Sequence, residues 1–75
     1  MSGTWMDELW NIVCGRWSIG ERFTLTDIMA YENHFARLYP SNRFVAAKLR
    51  QTLQYLRDEE RIEFVDDLGT YKRLM

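Results

Sequence analysis

Cysteine and histidine occur once each in this 75-residue chain, as Cys14 and His34, and proline once, as Pro40. A lone cysteine excludes an internal disulfide framework, and one cysteine with one histidine cannot assemble the four ligands of a structural zinc site. No apolar run approaches the 18 or so residues that a membrane span needs. The start, MSGTWMDELW, lacks the basic residues and apolar stretch of a signal peptide. A free thiol without a secretion signal is expected in a reducing cytoplasm. At 9.1 kDa there is room for one domain, spanning 1–75. A chain this short buries only about 60% of its unfolded surface and has no core to give up to a large catalytic cleft. We expect a binding domain, not an enzyme, with no cofactor and no membrane association.

What is present is a strong segregation of charge. Residues 43–57 carry Arg43, Lys48, Arg50 and Arg57 and no acid, a net charge of +4. Residues 58–67 carry six acids against Arg61 alone, a net charge of −5. The total of −1 therefore conceals a basic segment, and a phosphate feels local charge within a Debye length.

Local signals predict the elements. Thr4, with Asp7 three residues on, begins a helix over 5–14 that ends on Gly15 as its C′ residue. Phe23-Thr24-Leu25 is a short extended piece. Thr26 caps a helix over 27–38 with Ile28, Met29, Tyr31, Phe35 and Leu38 on its apolar face. Tyr39-Pro40-Ser41-Asn42 stops that helix, and Ser41 or Asn42 caps the next, over 43–59. Its apolar stripe is Val45, Leu49, Thr52, Leu53 and Leu56. Arg61–Val65 alternates as a half-buried strand, Asp66-Asp67-Leu68-Gly69 turns with Gly69 at positive φ, and Thr70–Leu74 returns. The fold class is α+β. It is a winged helix-turn-helix with three helices, a C-terminal β-hairpin wing and a short strand before helix two.

On the helix over 43–59, the side opposite the apolar stripe presents Arg43, Ala47, Arg50, Gln54 and Arg57. Arginine forks onto guanine O6 and N7, glutamine and asparagine pair with adenine N6 and N7, and small residues allow close approach to base edges. Lys48, Gln51 and Tyr55 flank the stripe, where phosphate contacts fall, and the helix N-terminus adds free amides. A solvated amphipathic helix also shows polar residues opposite apolar ones, but exposed helices ordinarily mix signs for i,i+4 pairing. Fifteen residues without an acid favour DNA.

Other residues favour structural roles. His34 has no carboxylate–nucleophile constellation near it and is expected to be a surface or half-buried histidine. Cys14 reads as a small core filler. Trp5, Trp10 and Trp17 read as core area, or as a face toward a neighbouring domain. The acids from Asp58 to Asp67 lack convergence, and we expect them to be solvated.

The run Tyr39-Pro40-Ser41-Asn42-Arg43, then Lys48-Leu49-Arg50-Gln51-Thr52-Leu53-Gln54-Tyr55-Leu56-Arg57-Asp58, then Ile62-Glu63-Phe64 and the closing Tyr71-Lys72, resembles the C-terminal winged-helix domain of DpnI-type methyl-directed restriction endonucleases, also called the Dam-replacing helix-turn-helix domain. The resemblance covers the chain from about residue 7 onward. It implies sequence-specific binding of adenine-methylated double-stranded DNA as the reader module of a nuclease whose catalytic domain lies elsewhere. The candidate DNA contacts are then Ser41, Asn42, Arg43, Phe44, Ala46, Ala47, Lys48, Arg50, Gln51, Gln54, Tyr71 and Lys72. Ala46, Ala47 and Phe44 offer the apolar surface an N6-methyl group needs. The acidic tip departs from the glycine and basic residues of such wings. Its charge argues against tip insertion and makes Lys72 or Arg73 the expected backbone contact. The competing reading is a protein-interaction winged helix without base or methyl specificity.

Overall fold

The computed structural model describes residues 4–66 and 68–75. Among these the elements run α1 (Trp5–Arg16), β1 (Arg22–Thr24), α2 (Leu25–Met29), α3 (Glu32–Leu38), α4 (Val45–Asp58), β2 (Ile62–Phe64) and β3 (Thr70–Arg73). The architecture is α+β, with helices packed on a small antiparallel sheet, and it is a winged helix-turn-helix. The predicted hairpin forms, and the short strand before the second helix joins it. The sheet order is β1-β3-β2, with Phe23 and Phe64 both opposite Tyr71.

Thr4 caps α1 as predicted, exchanging hydrogen bonds with Asp7 in a capping box. The helix does not stop at Gly15, however. It runs on to Arg16 and ends where Trp17 adopts an extended backbone. The reason is packing: Trp17 leaves the helix to stack on Phe23 with ring centroids 4.5 Å apart, both rings buried.

The second predicted helix is two helices. Thr24, not Thr26, is the cap, because Thr24 and Asp27 have the three-residue spacing of a capping box and Thr26 does not complete one. After Met29 the chain tightens: Tyr31 N–H bonds to the Ile28 carbonyl at 3.0 Å, an i→i−3 step, and the helix restarts at Glu32. The restart turns Phe35 into the core against Trp5, at 4.9 Å. Leu38, placed on the apolar face by periodicity, is left exposed by the same rotation.

The third predicted helix is α4, and all five stripe residues, Val45, Leu49, Thr52, Leu53 and Leu56, are buried. The Thr52 hydroxyl is satisfied by donating to the Lys48 carbonyl at 2.6 Å. Neither Ser41 nor Asn42 is the cap. Phe44 holds that position without a side-chain hydrogen bond, because the Asn42 carboxamide bonds Phe44 N–H at 2.8 Å and keeps it outside the helix. At the other end Glu60 takes a left-handed φ of 61°. Glu60 N–H bonds the Arg57 carbonyl and Arg61 N–H the Leu56 carbonyl, a Schellman closure. Gly69 in the wing has φ 93°, as its place in the turn requires. Asp67, counted with that turn, lies outside the described residues.

Candidate nucleic-acid interface

Because α4 turns its stripe toward α1, α3 and β2, its remaining face is committed to solvent. Ala47, Arg50, Gln51 and Gln54 are exposed along it. Together with Asn42, Phe44 and Lys48 they line an open groove of about 540 Å³ at the start of the helix. Seven of the twelve candidate contacts are thus brought to one place. The groove combines a guanidinium and an ammonium, three carboxamides, a methyl and an aromatic ring. Phe44 is 74% exposed, so it is an outward apolar wall and not core. Among the described residues Arg43, Lys48 and Arg50 have no carboxylate partner, which leaves their charges available to phosphate or base edges.

The other candidates are distributed around this groove. Ser41 and Arg43 are exposed in the turn ahead of it, and Ala46 is half-buried. Lys72 lies on the outer face of the sheet, opposite Arg22 and Glu63. Tyr71 is 6% exposed and packs against Phe23 and Phe64, so its ring belongs to the core. Burial holds the Tyr71 hydroxyl pKa above its ordinary value, with the positive charge of Arg50 opposing and the Asp66 carboxylate reinforcing. The hydroxyl thus feels charge from both α4 and the wing turn.

Two arginines are occupied by the fold. Arg57, on the wheel beside Arg50, lies over the Phe64 ring at 4.5 Å and pairs with Asp58 at 3.5 Å. Arg73, expected to reach the DNA backbone, faces the opposite way. It donates to the Trp17 carbonyl at 2.8 Å and stacks near Trp10. The strand's alternation decides this: Arg73 shares a side with Ile62, its register partner, while Lys72 takes the outer side.

Sequence reasoning missed Arg22, exposed beside Lys72. It became visible only when β1 was seen to pair with β3. Sequence reasoning placed Asp66 in the turn as a solvated acid but did not show its bonds there. Its carboxylate accepts Leu68 N–H at 2.8 Å and Thr70 N–H at 3.2 Å. The Leu68 bond above all lowers its pKa, against an opposing desolvation and with further help from the Thr70 bonds and the charge of Arg22.

Elsewhere His34 pairs with Glu8 at 3.0 Å, linking α3 to α1. Among the described residues no cluster of His, Cys, Asp or Glu could hold a metal ion, and no helix is long and apolar enough to cross a membrane. With this geometry in view, comparison with known families gives a match over residues 2–73 to one described as the Dam-replacing HTH domain.

Proposed function

The chain belongs to the Dam-replacing HTH domain family, and from that premise we propose that this DNA-binding module reads duplex sequence through α4 and takes N6-methyladenine as part of its site. It does so as the reader module of a modification-dependent restriction endonuclease. The observation that carries the reading is the groove itself, in which the exposed Phe44 and Ala47 stand beside Arg50, Gln51 and Gln54. A methyl reader needs an apolar surface next to the groups that hydrogen-bond the adenine edge, and this groove has both.

Roles follow from chemistry. Arg50 forks onto a guanine, and a carboxamide of Gln51 or Gln54 takes an adenine. Lys48 and Arg43 hold phosphate, assisted by the first amides of α4. Phe44 and Ala47 contact the methyl group. A buried methyl contributes about 0.8 kcal/mol. Two methyls, one per strand of a palindromic site, then favour the methylated duplex roughly tenfold. Magnitude thus separates the functions, since Arg50 and the carboxamides set sequence while the apolar pair sets methylation preference.

The test compares dissociation constants for unmethylated, hemimethylated and fully methylated forms of one preferred duplex. Affinity is expected to rise in that order, and Ala47→Glu to abolish the rise with the fold intact by circular dichroism. Equal affinities would remove methyl reading and leave sequence reading by α4. Absence of steep salt dependence would favour a protein partner instead.

A further inference from the structure

A second cleft, of about 420 Å³, lies between the start of α1 and another flank of α4. Trp5 and Met6 line it from α1, and Lys48, Thr52, Tyr55 and the C-cap Glu59 line it from α4. At 100° per residue these last four fall within about 60° of one another, so they form one stripe along the helix. Trp5 is a fixed wall, because its ring stacks on Phe35 at 4.9 Å and on Tyr39 at 4.6 Å. Thr52 is buried with its hydroxyl turned back onto the Lys48 carbonyl, and it forms a low floor. One turn on, Tyr55 projects and is 46% exposed. A hole and a knob thus stand side by side, with an ammonium at one end of the stripe and a carboxylate at the other.

We propose that a second copy of this chain occupies the cleft, in an antiparallel contact of α4 with α4 about a two-fold axis. The stripe is its own complement when reversed. Residues 48 and 59 lie equally far from its midpoint, and so do 52 and 55. Two stripes running antiparallel therefore set Lys48 against Glu59 and Tyr55 over Thr52, each contact made twice by symmetry. A parallel pairing would set like charges together. Both charges are available. Lys48 has no carboxylate partner among the described residues. Glu59 holds Arg61 at 2.9 Å but its side chain is 43% exposed, and a carboxylate accepts more than one donor. Eight residues line the cleft, against roughly 20–30 on each side of a stable complex, so the dimer is weak and concentration-dependent. The contact also bears on DNA, and this part alone rests on the function proposed above. Lys48 lines the candidate groove as well as the cleft. A major groove about 12 Å wide admits one helix of about 10–12 Å diameter, so two α4 helices side by side do not enter it together. Duplex and second copy compete for the same chain.

The experiment is sedimentation equilibrium of the parent chain, Lys48→Glu, Glu59→Lys and an equimolar mixture of the two variants, over roughly 10 µM to 1 mM. The parent is expected to approach the dimer mass at the upper end. Each variant alone places like charges at both symmetric contacts and should associate roughly tenfold more weakly. The mixture should recover parental association, because a chain with Glu at 48 and 59 then meets a chain with Lys at both. Circular dichroism verifies that the variants keep their fold, since both sites are on the surface. A parent chain that stays monomeric across the range would overturn the inference. So would single variants that associate like the parent, or a mixture that associates no better than its components. Adding one preferred duplex in excess should return the parent to one chain per complex. A dimer that stays intact on the duplex would overturn the competition. A parent chain that dimerises but binds no duplex would remove the function proposed above and leave the α4–α4 contact standing. One that binds duplex but never dimerises would do the reverse.

Discussion

The Asn42 carboxamide accepts a hydrogen bond from the Phe44 amide at 2.8 Å, and this bond sets where α4 begins. It also holds Phe44 in a non-helical conformation ahead of α4, with its ring outside the core. Asn42→Ala is expected to cost about 1 kcal/mol in urea unfolding and to weaken duplex binding, as Phe44 loses its fixed position. Asn42→Asp, which keeps the acceptor, should retain most of the stability.

The cap of α2 distinguishes two adjacent threonines. Thr24→Ala removes a side-chain acceptor from the capping box with Asp27 and should cost about 1 kcal/mol. Thr26→Ala removes no cap and should lie within about 0.5 kcal/mol of the parent. Thermal or urea unfolding of the two variants decides the matter, and reversal of the order would restore Thr26 as the cap.

Glu60 closes α4 in the left-handed region, where a Cβ is unfavourable. Glu60→Gly is expected to stabilise the fold by about 1 kcal/mol. It also removes one acid at the end of α4, so duplex binding at low salt should rise slightly if α4 contacts DNA as proposed. A destabilised Glu60→Gly would show that the Glu60 side chain, not the backbone, holds this helix end.

Stability should depend on pH at both extremes. The Tyr71 hydroxyl is raised by burial, so the unfolded chain releases this proton more readily than the folded one. The contribution is complete below the ordinary tyrosine value and is lost as pH rises through the folded value. Tyr71→Phe should flatten that alkaline decline in urea titrations. Asp66 is lowered, chiefly by the Leu68 amide, so its contribution is complete above the ordinary carboxylate value and is lost as pH falls through the folded one. Asp66→Asn should remove that part of the acid dependence.

The fold and most of the groove were legible because they rest on periodicity. The stripe from Val45 to Leu56 reads at helical spacing, and its burial fixes the opposite face without further information. The wing was legible from the alternation Ile62-Glu63-Phe64 and from Gly69. What escaped was set by tertiary packing. No glycine or proline marks the break between α2 and α3, which Phe35 produces by entering the core beside Trp5. Nothing at Glu60 signals a left-handed residue, since that place ordinarily favours glycine and here the two closing bonds overrule the preference. The directions of Arg57 and Arg73 also escaped, because whether an arginine is free depends on which ring lies beneath it.

The central strand of the sheet is the last to be made. β3 pairs with β1 across about fifty residues, Arg22 with Lys72, and with β2 close by. During synthesis α1, β1, α2, α3 and α4 emerge before their sheet has its middle, so Phe23 waits for the Tyr71 ring that covers it. Chain closure over such a span is slow relative to helix formation. The nascent chain therefore holds helices without a finished wing, and the sheet closes only when residues 70–73 become available to pair with both β1 and β2.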